Sequence, residues 1–346
     1  MRILVTGGAG FIGSHIAEHY ANKWDEVICY DNLSRANLLG RSLNSTYNWN
    51  YLKGFPNVKL IKGDVRDSKE LEKVAKGVDA IIHTAAQTAV TTSIEDPKTD
   101  FEVNALGTFN ILEAARLSNS EPVVIYCSTN KVYGENVNKG SVIEKGSRYV
   151  FEEKFKKGIA ETVPIDLCEH TPYGCSKLSG DLYVQDYGQL YGLKTGVFRM
   201  SCIYGTRQFG VEDQGWVAWF AIATVLGKPI TIYGDGKQVR DVLYIDDLIS
   251  AFDSFIADDL RQEVFNIGGG PENTISLLEL LDLLEESTGK RSEVKFAPWR
   301  PSDQKVYISD ISAAKMKLNW EPKVSPERGV ERLVAWVQQD KDILTG

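Results

Sequence analysis

Val5-Thr6-Gly7-Gly8-Ala9-Gly10-Phe11-Ile12-Gly13 is the stretch on which the fold turns. Arg2 to Thr6 ahead of it predicts a short buried strand. Phe11, Ile12, Ala17 and Tyr20 behind it predict an apolar helical face, so the glycines fall in a strand-to-helix turn. In such a turn Gly7 permits the tight bend, Gly10 lets the backbone approach a phosphate, and Gly13 lets helix pack on strand. The N–H groups of the first helical turn, at Phe11 and Ile12, and the helix dipole then favour an anion, here a pyrophosphate. The spacing is G-x-x-G-x-x-G.

Working outward, Glu26 to Tyr30 predicts a second strand that delivers Asp31 about twenty residues beyond the glycines, where a carboxylate accepts from adenosine ribose hydroxyls. It would repel a 2′-phosphate, which favours NAD over NADP. Asn32, Ser34 and Arg35 join it, with Arg35 weakening that preference slightly; the alternative is that Asp31 caps a turn with Asn32. The polar segment Leu33 to Pro56 predicts one short helix near Tyr47 to Leu52. Val58 to Ile61 is a third strand, followed by Asp64 and Val65 at the position expected for an adenine contact. Alternatively Asp64 is the N-cap of a helix from Ser68 to Lys76. Ala80 to His83 is a fourth strand. The small residues Thr84, Ala85 and Ala86, with Gln87, then let backbone lie close to a flat cofactor.

A helix from Phe101 to Leu117 carries Asn104, and Val123 to Cys127 is a fifth strand. Five strand-helix units in succession predict an α/β protein with a doubly wound parallel sheet, whatever the motifs say. Gly134 to Asp166 is a charged excursion with little periodicity, either a lid or a solvated insertion. Thr171-Pro172 opens a helix from Tyr173 to about Tyr191, hydroxyl at the N-cap and proline at the first helical position. Thr195 to Met200 is a sixth strand. Beyond it the alternation loosens into a smaller mixed α/β domain closed by two helices. The expected division assigns 1–205 and 236–268 to the cofactor domain, and 206–235 and 269–346 to the substrate domain.

A chain of 346 residues with 43% hydrophobic content supports a large core. The net charge of -8 is spread along the sequence without a basic stripe, which excludes a nucleic-acid footprint. No apolar run approaches the roughly 18 to 20 residues that span a bilayer. The first strand begins at Arg2, leaving no room for a signal peptide, so the expectation is cytoplasmic with no membrane partner. Five cysteines without a C-x-x-C pair read as buried free thiols. His15 and His19 stand four apart but lack a third ligand nearby, so no metal is expected.

Tyr173 and Lys177, four apart at the first turn of a helix, share one face. Bringing a phenol from a pKa of about 10 to about 7 takes roughly 4 kcal/mol. One ammonium at about 4 Å, at an effective dielectric near 20, supplies about that much. The pair is thus a candidate proton acceptor. Tyr233 and Lys237 repeat the spacing, but in a Tyr-Gly-Asp-Gly-Lys turn that holds neither on a helical face. The third candidate is Thr129, at the end of the fifth strand, as hydrogen-bond partner of a substrate hydroxyl; Ser128 beside it is read as satisfying backbone.

Together Thr6 to Gly13, Asp64-Val65-Arg66-Asp67, His83 to Ala86, Asn104 to Thr108, Thr129, Tyr173 with Lys177, Arg240-Asp241 and Arg300-Pro301-Ser302-Asp303 resemble the extended short-chain dehydrogenase/reductase family, nearly end to end. That family includes the nucleotide-sugar epimerases and dehydratases. The resemblance implies a Rossmann domain and a retained, recycled NAD, with Met200 at the cofactor. It also implies that Arg240 and Arg300 grip a sugar-nucleotide diphosphate, which suits guanidinium forks. Two departures narrow the choice. Asn130-Lys131 stands where 4,6-dehydratases carry an Asp-Glu pair, so acid and base for water elimination are missing. Cys202 stands where 4-epimerases carry an asparagine.

More narrowly, Ser128 to Gly134, Pro172 to Lys177, Arg207-Gln208-Phe209, Asp213 to Val217 and Gly236 to Val242 resemble the members that invert C2 of CDP-hexoses. This implies a 2-keto intermediate, with Thr129, Asn130, Lys131, Cys202, Arg207, Gln208, Arg240 and Arg300 at the CDP-sugar. It further implies a homodimer or homotetramer paired through the helices near 101–117 and 173–191. The alternatives are a UDP-hexose 4-epimerase and a non-catalytic NAD sensor.

Overall fold

A computed structural model describes residues 1–35, 46–140, 142–300 and 303–345. Residues 36–45 of the polar segment and Pro301-Ser302 of the last motif lie outside the described residues. The chain folds as two compact units. One comprises Met1–Val132, Thr171–Arg199 and Ile249–Phe265; the other Tyr133–His170, Met200–Leu248 and Asn266–Gly346. Residues 133–170, 200–205, 236–248 and 266–268, expected with the cofactor domain, thus group with the second unit.

The first unit is built on a seven-stranded sheet. Its strands are β1 (Arg2–Thr6), β2 (Glu26–Asp31), β3 (Val58–Lys62), β4 (Ala80–His83), β5 (Val123–Thr129), β6 (Thr195–Met200) and β7 (Glu263–Ile267). Their spatial order is 3-2-1-4-5-6-7. β1 pairs in parallel with both β2 and β4, with Val5 opposite Cys29 on one side and Ile82 on the other. Ile3, Leu4, Val5, Ile81 and Ile82 are fully buried, as continuous apolar runs in a sheet covered on both faces must be. Winding reverses between β1 and β4. At such a switch point a crevice opens outside the carboxyl ends of the strands, where Gly7 and Thr84 follow β1 and β4.

The helix Pro172–Tyr191 starts as expected, with the Thr171 side chain accepting from Gly174 N, and ends on left-handed Gly192. The predicted helix 101–117 differs. It is Pro97–Phe101, then a π turn over Glu102–Leu106, then Gly107–Leu117. Periodicity does not show the change of pitch; Asn104, inside the π turn, hydrogen-bonds residues remote in sequence.

In the second unit Val239–Tyr244 pairs with Thr274–Ser276, Val306–Tyr307 and Cys202–Tyr204, and Ile230–Tyr233 pairs with Val294–Ala297. Three helices close the chain where two were expected: Ser312–Leu318, Pro326–Gln339 and Lys341–Thr345. The excursion after Gly134 contains an antiparallel hairpin, Val142–Lys145 with Arg148–Phe151. Tyr149 N donates to Lys237 O at 2.8 Å, its hydroxyl donates to Asp235 at 2.6 Å, and Lys237 pairs with Glu144. The hairpin is tied to the Tyr233–Lys237 turn, a role for that turn that its spacing alone did not suggest. Of the thiols, Cys29 and Cys127 are buried, Cys168 and Cys202 half-buried, and Cys175 exposed, so burial holds for fewer than expected. Among the described residues no helix is long and apolar enough to cross a membrane.

Candidate active site

Gly7 has φ +71°, and a Cβ there would meet Ala85 N at 2.7 Å. A Cβ on Gly13 would meet Gly7 O at 2.2 Å, which is the close helix-on-strand packing expected from the motif. Gly10 caps the helix Phe11–Asn22 without any side-chain hydrogen bond, and no acidic residue lies in the first turn. The helix end is therefore shaped for an external anion, and the turn fits a dinucleotide pyrophosphate.

Asp31 accepts from Ala9 N at 3.0 Å and Leu33 N at 2.7 Å. It both braces the glycine turn and forms the Asx turn weighed as the alternative, with lone pairs left for ribose hydroxyls. Burial pushes its pKa up while those N–H groups pull it down. Asp64 is not a helix cap; Asp67 takes that place, accepting from Glu70 N. Instead Arg66 grips both oxygens of Asp64, at 2.9 and 2.7 Å, and Asn32 donates at 2.8 Å. The Arg66 bonds hold its carboxyl well below the usual range.

Asn104 is 1% exposed. Its Oδ1 accepts from Gln87 N at 2.8 Å, and its Nδ2 donates to Gln87 O, Asp100 and Ser176. Its polar atoms are thus used inside the protein, and it braces the segment after β4. The Gln87 side chain is likewise turned inward, to Ala89 and Asp100. Thr84 Oγ1 donates to Thr6 O at 2.7 Å, locking the ends of β1 and β4 together.

His83 bridges Thr6 Oγ1 at 2.6 Å and Thr108 Oγ1 at 3.0 Å. Burial pushes its pKa from 6.5 to about 3. The unfolded chain therefore takes up the proton first, so stability present above pH 6.5 drains away as pH falls toward the folded value. At about pH 5 the expected loss from this group is about 2 kcal/mol. Denaturant melts at about pH 7.5 and 5 check it; His83→Gln should lose less on acidification than the wild type.

Tyr173, Lys177 and Thr129 come together as expected, the first two buried on one helix and the third ending β5. Thr129 hydrogen-bonds the Tyr173 side chain and opposes the upward push of burial, which nonetheless takes the phenol to about 12. Among its neighbours Thr129 is the one that pulls the phenol down. Lys177 Nζ donates to Cys127 O at 2.7 Å and lies 4.1 Å above the Tyr126 ring. Burial brings the ammonium itself down to about 8. The side chains alone keep Tyr173 protonated. A nicotinamide cation, when bound, supplies the positive field that favours the phenolate and accepts hydride. Asn130 Oδ1 accepts from Thr129 at 3.3 Å, and Lys131 N donates to Thr129 Oγ1 at 3.3 Å.

The remaining candidates lie in the second unit. Arg240 pairs with Asp303 at 2.6 Å, and Arg300 with Asp213 at 2.9 Å, its guanidinium 3.9 Å over the Tyr233 ring. Arg207 is buried with φ +55°, a strained conformation for a side-chain-bearing residue. Gln208 Nε2 donates to Ile203 O at 3.2 Å, and its Oε1 is buried with no hydrogen-bond partner among the described residues. Cys202 Sγ accepts from the Trp216 indole at 3.4 Å. Sequence reasoning gave no role to Asp100, Asp181 and Arg199, nor to Ser176, although that residue falls within the Pro172 to Lys177 stretch.

A sequence profile of the NAD dependent epimerase/dehydratase family matches residues 3–268. The chain is 41% identical to CDP-paratose 2-epimerase of Salmonella typhi over 97% of this chain and 99% of that protein. It is 33% identical to a putative UDP-glucose 4-epimerase of Methanocaldococcus jannaschii, over 98% and 99%. Among solved structures it is similar to UDP-glucose 4-epimerase from Thermotoga maritima with UDP-glucose. The TM-score is 0.82 and the identity 32%, covering 99% of this chain and 100% of that one. UDP-glucuronic acid 4-epimerase from Bacillus cereus, in complex with UDP-glucuronic acid and NAD, gives 0.80 at 30%, covering 98% and 99%. With a glycine turn shaped for a dinucleotide after β1 and a Thr-Tyr-Lys group at the end of β5 and on the helix packed there, the chain belongs to the NAD dependent epimerase/dehydratase family, the NAD-using enzymes that epimerise or dehydrate nucleotide sugars.

Proposed function

We propose that the protein inverts C2 of a CDP-hexose through a transient 2-keto sugar, retaining its NAD throughout. The observation that carries this reading is the end of β5. Thr129 and Tyr173 are hydrogen-bonded there, and the next two residues are Asn130 and Lys131 rather than a pair of carboxylates. Such a site can take and return a hydroxyl proton but has no acid-base pair for eliminating water. The 41% identity to the Salmonella CDP-paratose 2-epimerase supports C2 and the cytidine nucleotide. Arg240 and Arg300 are assigned to the diphosphate. In this reading Tyr173 removes the C2 hydroxyl proton, Thr129 holds that oxygen, and the ketone takes the hydride back on its other face.

Exposed Leu182, Tyr183, Leu190 and Tyr191 on the helix Pro172–Tyr191 support pairing of two copies through that face. A UDP-hexose 4-epimerase is the second reading, favoured by the likeness to the Thermotoga enzyme. A panel of CDP-, UDP-, GDP- and dTDP-sugars in deuterated water separates them. The expected product is C2-inverted without solvent deuterium at C2. A C4-inverted product selects the second reading, and deuterium at C2 rules out direct hydride return.

A further inference from the structure

Tyr173, Lys177 and Asp181 are spaced four apart on one helix, and each meets the same short length of β5. Tyr173 is hydrogen-bonded by Thr129. Lys177 donates to Cys127 O at 2.7 Å, and its own carbonyl accepts from the Tyr126 hydroxyl at 3.2 Å. Asp181 accepts from Ser128 Oγ at 2.7 Å. Ser128 thus serves a side chain, not the backbone expected for a strand-end hydroxyl. We propose that Asp181, acting through Ser128, is a positioning residue that fixes the register of the helix against the end of β5, and with it the approach of Tyr173 to Thr129. The proposal rests on the reading of Tyr173 as the base.

Asp181 is unusually well held for this task. It is 0% exposed, and Arg199, itself 4% exposed, reaches it from β6 with Nε at 2.9 Å and Nη2 at 3.0 Å. Gln185 Nε2 donates to its other oxygen at 2.7 Å. Four hydrogen bonds fill the carboxylate, so the side chain has one orientation and Ser128 has one partner. A buried ion pair is a poor way to gain net stability, since an apolar pair of similar volume does as well or better. What the pair adds is direction: helix, β5 and β6 are pinned at one point, a single residue from the catalytic threonine.

The same carboxylate faces Lys177. The groups around that ammonium are Cys127 and the Tyr126 ring on β5, His83 on β4, Asp100 on Pro97–Phe101, and Tyr173 and Asp181 on its own helix. Burial lowers Lys177, whereas Cys127, Asp181 and Asp100 support its charge. Neutralising Asp181 therefore releases the Lys177 proton at lower pH, and the alkaline limb of activity must move acidward.

Two variants separate position from charge. Ser128→Ala removes the link and leaves every charge. The expected result is about a tenfold loss in kcat, the size of a lost orienting contact, with KM, NAD content and pH limbs unchanged. Asp181→Asn removes the charge while its amide oxygen can still accept from Arg199, and its alkaline limb should fall by about half a pH unit. Wild-type kcat in Ser128→Ala, or an unmoved alkaline limb in folded Asp181→Asn, overturns the proposal. If Asp181→Asn does not fold, Ser128→Ala decides. An active Tyr173→Phe enzyme overturns the base reading and the positioning role together. An inactive Tyr173→Phe beside a normal Ser128→Ala overturns the positioning role alone.

Discussion

Tyr173→Phe is expected to reduce kcat by a factor on the order of 10³ while leaving NAD bound, because it removes the oxygen proposed to take the substrate proton and little else. The ring stays buried against the same neighbours, and the lost hydroxyl has one neutral partner, Thr129. Lys177 is unaffected in place, since it is anchored to the Cys127 carbonyl and the Tyr126 ring rather than to Tyr173. The check is turnover beside the cofactor released on denaturation. Near-normal turnover would remove Tyr173 from the base role, and loss of cofactor would show that the hydroxyl serves binding instead.

Gly13→Ala should act on the other half of the site. The added Cβ meets Gly7 O at 2.2 Å, Gly7 C at 2.8 Å and Gly8 Cα at 3.0 Å. All three are backbone atoms, so no rotamer change relieves the contact. Helix and turn must separate, and overpacking of that kind costs about 1–3 kcal/mol. If the strain falls on the cofactor-binding conformation, NAD affinity drops by roughly tenfold to a hundredfold. Cofactor content of the purified variant and titration of its apoprotein measure this. Wild-type content would mean that the turn yields without disturbing the pyrophosphate site.

The elements that local physics decides were legible in the sequence. Continuous apolar runs gave β1, β4 and β5, the glycine spacing located the first turn, and Thr171-Pro172 set the start of the helix that carries Tyr173 and Lys177. The features that eluded it depend on partners distant along the chain. The π turn is held by Asn104 reaching Gln87 and Ser176. The hairpin 142–151 carries charges that alternation rules treat as solvent-facing, yet Tyr149 and Glu144 bond to the turn at 235–237. Lys177 illustrates the point at the site itself. Spacing put it on the face of Tyr173 but said nothing of the carbonyl and ring that hold it. Asp64 shows the same limit: its position matched a motif, but nothing in the spacing told of Arg66, two residues on, gripping the carboxylate.

The π turn over Glu102–Leu106 also determines what lengths this segment tolerates. One residue more than an α-helix needs is held in that turn, and it sets the phase between Asp100 and the buried stripe Ile111, Leu112 and Ala115 downstream. Deleting Val103 would take out that surplus residue and let the segment relax to regular pitch with the flanking turns still in phase. Asp100 and the downstream stripe would keep their faces, whereas Asn104, inside the turn, would lose its place against Gln87 and Ser176. Substitution at the half-buried Val103 removes one side chain; a one-residue deletion there removes the turn itself, and with it the setting of Asn104.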